Sequence, residues 1–216
     1  MITIVSGVPR SGTSLMMRML EAGGLPVLTD DHRPADLDNP RGYYEYEPVK
    51  FTGQDASWVD LAEGRAVKVI YKLLEALPAD RDYQVLFMQR HLKEVVASQN
   101  RMLERLAQAS SGRHAGAAPP GGRQVEASAG RGPGNTGSHI MVDEHRLVGM
   151  LASQVAQCRA WLAGQPRFRV LYVNYNQLIA TPDVWVHDIV QFCGGRLDAA
   201  GMRSVIDPNL YRRRLS

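Results

Sequence analysis

The chain opens with a short apolar run, ITIVS (residues 2–6), that passes directly into GVPRSGTS (7–14) and then into a Met-rich helical pattern. The run is β-branched and nearly continuous, as expected of a strand covered on both faces. Beyond the loop, Leu15, Met16, Met19 and Leu20 recur at helical spacing, and Gly23-Gly24 marks a stop. A buried strand, a glycine-bearing loop and a helix in immediate succession belong to a parallel sheet packed with helices. Such sheets place their ligands at the carboxyl ends of the strands.

The rest of the chain repeats this alternation. LPVL (25–28) reads as a short strand, and AVKVI (66–70), QVLFM (84–88) and FRVLYV (168–173) as buried ones. Helical patterns cover about 92–108, 142–164 and 182–195; in the second, Leu147, Met150, Leu151, Val155, Cys158 and Leu162 trace one face. Residues 29–45 are rich in Pro, Gly and Asp and read as a loop. The expected fold is α/β, a parallel β-sheet with helices on both faces. With 216 residues the chain suits a single domain spanning 1–216. Within it, 109–139 is so rich in Gly, Ala, Ser and Pro that it reads as a mobile insertion, unable to offset its ordering entropy by burial.

The loop after the first strand has Gly7 and Gly12 at the spacing of a phosphate-binding G-x-x-x-x-G-K-[ST] loop, with Ser14 at the final hydroxyl. The lysine is absent: position 13 is Thr, and the basic residue is Arg10, inside the loop. Backbone amides of residues 11–14 and the hydroxyls of Ser11, Thr13 and Ser14 remain suited to an anion at a helix N-terminus. Without the lysine, the loop suits a short phosphate group better than a triphosphate.

GVPRSGTSLMMRML resembles the 5′-phosphosulfate loop of the sulfotransferase family, P-[KR]-S-G-T-[TS], and is most similar to the branch that includes the tyrosylprotein sulfotransferases. The resemblance implies a P-loop NTPase-like sulfotransferase architecture. It also implies 3′-phosphoadenosine 5′-phosphosulfate (PAPS) as donor, 3′,5′-ADP as product, and Pro9, Arg10, Ser11, Gly12, Thr13 and Ser14 around the 5′-phosphosulfate. A second element of the family, an Arg at a strand end with a Ser eight residues on, is matched by Arg90 and Ser98. The two are implied to hold the donor's 3′-phosphate, chemistry that a guanidinium and a hydroxyl suit. YVNYNQLIATP is similar to a third family segment through Tyr175, Leu178 and Pro182, with Asn176 in place of an acid. Residues 1–106 and 142–210 carry the resemblance. The arginines 212–214 read either as a solvated basic end or as a segment that closes over the nucleotide.

Sulfuryl transfer needs cations where the bridging oxygen gains charge and a base for the acceptor's proton. Arg10 is one cation. Lys68, inside an apolar strand, is costly unless it meets an anion, and the family places a lysine on the corresponding strand. The small-molecule branch carries a histidine two residues on, where this chain has Ile70, so a carboxylate is expected as base. Alignment with the tyrosylprotein branch points to Asp31, with Asp30 and Glu45 as further candidates. Tyr43, Tyr44 and Tyr46 suit an acceptor pocket wall.

The net charge of +3 suits a small anionic ligand without requiring nucleic acid or a membrane surface, and no run approaches a spanning helix. Two cysteines and six histidines fall at no metal-binding spacing, so no metal is expected and a cytoplasmic location is. The reading is a sulfotransferase acting on a hydroxyl-bearing acceptor by in-line displacement with a carboxylate base. The alternatives are a nucleotide or small-molecule kinase with a degenerate loop, or a non-catalytic nucleotide-binding protein of the same fold. The acceptor and the oligomeric state stay open.

Overall fold

The computed structural model describes residues 1–30, 42–113 and 144–207. Five strands, β1 (Ile2–Gly7), β2 (Val27–Leu28), β3 (Ala66–Lys68), β4 (Tyr83–Gln89) and β5 (Phe168–Asn174), form one sheet in the order β2-β3-β1-β4-β5. Every pairing is parallel. From β1 the chain moves toward β2 and β3, and from β4 it moves the other way to β5. The order therefore reverses between β1 and β4, which sit side by side at the centre. Crevices at such reversals are where open parallel sheets take ligands.

Strand alternation separates two cores. Ile2 and Ile4 of β1, with Val85 and Phe87 of β4, face one side; there they meet Trp58, Val59 and Leu74 from short 3₁₀ segments and Cys158 and Leu162 of α3 (Glu144–Ala163). Val5, Leu86 and Met88 face the other side. Their partners are α1 (Thr13–Ala22), α4 (Tyr175–Ala180), α5 (Pro182–Phe192) and α6 (Ala199–Ser204). Met16, Met17, Met19 and Leu20 of α1 are wholly buried, each stabilising the fold by about 1.5–3 kcal/mol relative to exposure. The α/β architecture with helices on both faces of a parallel sheet matches the sequence reading.

Local differences have physical causes. β3 ends at Lys68 rather than residue 70: Val69 N–H still reaches Val5 O at 3.0 Å, but Ile70 already turns into a 3₁₀ segment, Tyr71–Ala76. α2 (Leu92–Arg113) runs five residues into the span read as an insertion; residues 114–139 lie outside the described residues. Short α4 and α6 carry too little periodicity to stand out in the sequence, yet Asn174 and Asp198 cap them through side-chain oxygens. Among the described residues no helix is long and apolar enough to cross a membrane.

Candidate active site

The glycine loop leaves β1 beside the end of β4. A Cβ on Gly7 would lie 2.6 Å from Met88 O and from Ser11 Oγ, so only glycine fits where the chain turns out of the sheet. Arg10 (φ 73°) and Gly12 (φ 103°) both lie in the left-handed region, with Ser11 between them. Alternation of this kind curls the backbone into an anion-binding concavity. α1 starts at once from Gly12, with no side-chain cap and no acidic residue in its first turn. Its first N–H groups have no intrahelical acceptor, and its dipole favours an anion there. Ser11 is fully buried, and its Oγ has no hydrogen-bond partner among the described residues. A buried hydroxyl of this sort can be satisfied by water or by an anion seated in the loop.

The loop's own Arg10 meets α2 and the end of the neighbouring strand β4. Arg10 Nε donates to Ser98 Oγ at 3.1 Å, joining the loop to α2. Arg90, at the end of β4, donates from Nη1 to Arg10 O at 3.2 Å and from Nε to Glu94 Oε2 at 2.8 Å. Its guanidinium stacks over the Tyr175 ring, 4.8 Å from the centroid. Burial pushes the Tyr175 phenol above its ordinary value. Thus Arg10, Ser11, Gly12, Arg90 and Ser98, from three separate stretches of sequence, meet at the β1/β4 crevice.

Lys68, at the end of β3, approaches from the other side of the loop. Its Nζ donates to the Tyr43 carbonyl, lies 3.5 Å from Ser14 Oγ and 3.7 Å from Glu45 Oε1, and is only 10% exposed. Ser14 Oγ also donates to Tyr43 O, at 3.2 Å. The carboxylate of Glu45 stands beside this strand lysine and offsets part of its burial cost. Asp31 lies outside the described residues. Asp30 is engaged structurally, its Oδ2 accepting from Glu47 N–H at 2.5 Å.

The three tyrosines do not form a common wall. Tyr43 is buried and offers its carbonyl to Lys68; Tyr44, at φ 53°, donates from its hydroxyl to Glu21 at 2.5 Å. Tyr46 meets Trp58 edge-on and lines a cavity of about 550 Å³ together with Pro48, Phe51 and Asp30. The carbonyl of Tyr43 and the carboxylate of Glu94 carried no motif in the sequence. Glu94 lies four residues after Arg90 and four before Ser98, but that spacing alone does not distinguish it from a solvated glutamate on a helix face. Among the described residues no three His, Cys, Asp or Glu side chains converge as a metal site.

Comparison with known proteins places these features in a family. Residues 2–212 match the family model described as "Sulfotransferase domain". This chain belongs to the sulfotransferase domain family, and is a transferase by that membership. A solved structure, "Sulfotransferase Domain from the Curacin Biosynthetic Pathway", is similar at 17% identity and a TM-score of 0.46, with 89% of this chain and 73% of that one covered. No curated protein matches significantly.

Proposed function

We propose that the chain transfers a sulfuryl group from PAPS to a hydroxyl-bearing acceptor, through a site closest in design to the tyrosylprotein branch. One observation carries this reading: Arg10 of a lysine-free glycine loop meets both Arg90 and Ser98 from β4 and α2. In this reading the loop and the Arg90–Ser98 pair form two neighbouring anion subsites, as a nucleotide with 5′- and 3′-phosphate groups requires. A triphosphate bound with Mg²⁺ would need the loop lysine and carboxylates for the metal.

In this reading residues 9–14 hold the 5′-phosphosulfate through loop amides, the α1 N-terminus and the orphaned Ser11 hydroxyl. Arg90 and Ser98 hold the 3′-phosphate. Arg10 and Lys68 stand where positive charge offsets the negative charge that grows on the bridging oxygen as its bond to sulfur breaks. The acceptor oxygen attacks sulfur from the opposite side, forming the new S–O bond, and the bond electrons leave on the 5′-phosphate of 3′,5′-ADP. The acceptor proton passes to a carboxylate. Glu45, 3.7 Å from Lys68, is our first candidate for that base, and Asp31 the second.

The test is acceptor-dependent release of 3′,5′-ADP from PAPS with a panel of phenols and alcohols, run beside consumption of ATP with Mg²⁺. PAPS turnover that disappears in Lys68→Ala supports the reading. Turnover of ATP alone would establish the kinase reading instead. PAPS binding without turnover on any acceptor would favour the non-catalytic one.

A further inference from the structure

Arg90 is held on three sides, and one of the groups that hold it, Glu94, lies outside the motifs. Its Nε is taken by Glu94 Oε2, its Nη1 reaches the Arg10 carbonyl, and its flat face rests on the Tyr175 ring. Glu94 is itself only 3% exposed. A carboxylate so buried is costly unless both oxygens are satisfied. The second oxygen is: Asn176 Nδ2 donates to Glu94 Oε1 at 3.1 Å. Tyr175 and Asn176 are consecutive, at the start of α4, so one turn of chain supplies both the floor under the guanidinium and the brace behind its partner. The same ring abuts the glycine loop, since a Cβ on Gly12 would lie 2.3 Å from Tyr175 Cδ2. The Arg90 guanidinium therefore stands in fixed relation to the loop, and its Nη side faces Arg10 and the crevice.

We propose that Glu94 and Asn176 are positioning residues that fix the Arg90 guanidinium for the donor's 3′-phosphate and set the spacing between the two phosphate subsites. This rests on the donor reading above. The amide at 176 matters for two reasons. It gives Glu94 a donor that a carboxylate could not, and it leaves Arg90 facing one negative charge rather than two. A second carboxylate at 176 would oppose Glu94 directly, disturb its grip on Nε and add repulsion toward a phosphate.

The test uses the full chain and two nucleotides that differ only in the 3′-phosphate. Dissociation constants for 3′,5′-ADP and 5′-AMP are measured by calorimetry in the wild type, Asn176→Asp and Asn176→Ala, with thermal midpoints taken alongside. Asn176→Asp is nearly isosteric. It is expected to weaken 3′,5′-ADP by on the order of tenfold while shifting 5′-AMP by less than about threefold. Asn176→Ala, which removes the brace without adding charge, is expected to give a smaller loss of the same selectivity, and it serves if the aspartate variant does not fold. Unchanged 3′,5′-ADP affinity in both variants would overturn the inference, as would equal weakening of the two nucleotides, the mark of general damage. A wild type that does not distinguish the two nucleotides would instead overturn the donor reading, and the inference with it.

Discussion

Replacing Gly12 by alanine probes the contact that ties the glycine loop to the Arg90 region. Gly12 sits at φ +103°, where an L-residue is strained by about 1–2 kcal/mol. The added Cβ would also lie 2.3 Å from Tyr175 Cδ2 and 2.9 Å from Cε2, far inside the ~3.5–4 Å of ordinary carbon contact. The ring has little room to retreat, because Tyr175 is 7% exposed and the Arg90 guanidinium covers it. Overpacking of this kind costs about 1–3 kcal/mol more. The sum is a destabilisation of roughly 2–5 kcal/mol. Gly24→Ala is the control: Gly24 has φ +88°, but among the described residues nothing lies within 4 Å of where its Cβ would go. Only the backbone strain of about 1–2 kcal/mol applies there. Urea unfolding monitored by circular dichroism gives both values. The two variants should differ by about 1–3 kcal/mol, and Gly12→Ala should also lose affinity for 3′,5′-ADP. Equal destabilisation of the two variants would refute the packing argument.

Other perturbations separate the roles assigned to single residues. Glu45→Gln is expected to abolish turnover while leaving 3′,5′-ADP affinity within about threefold, and Asp31→Asn is the parallel test; the one that retains normal turnover is not the base. Lys68→Ala should lower kcat by about 10²–10³-fold, as removal of a group stabilising transition-state charge does; an unchanged kcat would remove Lys68 from the chemistry. Trp58→Phe loses the indole bond to Thr52 Oγ1 and some buried volume, and should cost about 1–2 kcal/mol in urea unfolding. Burial pushes the thiols of Cys158 and Cys193 up to about 11, so the neutral form dominates at pH 8 in the folded protein. Alkylation by iodoacetamide at pH 8 should be slow in the native state and accelerate in denaturant; rapid native alkylation would contradict it.

The sheet was legible because its strands are short, continuous and apolar, and because glycine or proline punctuates the turns between them. Motif spacing placed Arg10, Arg90 and Ser98 in separate segments, and the parallel topology brings all three to one crevice. What spacing could not show is which polar groups meet once the chain is folded. Lys68 was legible as a costly charge in an apolar strand, but its contact with the Tyr43 carbonyl depends on the path of a loop that carries no periodicity. Likewise the periodicity of α3 identified a helix side without showing what covers it. Cys158 and Leu162 are buried against the sheet, whereas Met150 is 49% exposed near the other end of the helix. Glu94 was hidden for a different reason: a glutamate on a helix after a strand is ordinarily solvated. Its burial is satisfied only through Arg90 and Asn176, the latter 82 residues away.

The central claim is that the loop after β1 and the Arg90–Ser98 pair together hold one nucleotide carrying both 5′- and 3′-phosphate groups. Calorimetric titration with 3′,5′-ADP in metal-free buffer, repeated with Arg90→Ala and with ATP plus Mg²⁺, tests it most directly. Micromolar binding of 3′,5′-ADP without metal, lost in Arg90→Ala, is the predicted result. Binding of ATP with Mg²⁺ alone, or 3′,5′-ADP binding indifferent to Arg90, would contradict it.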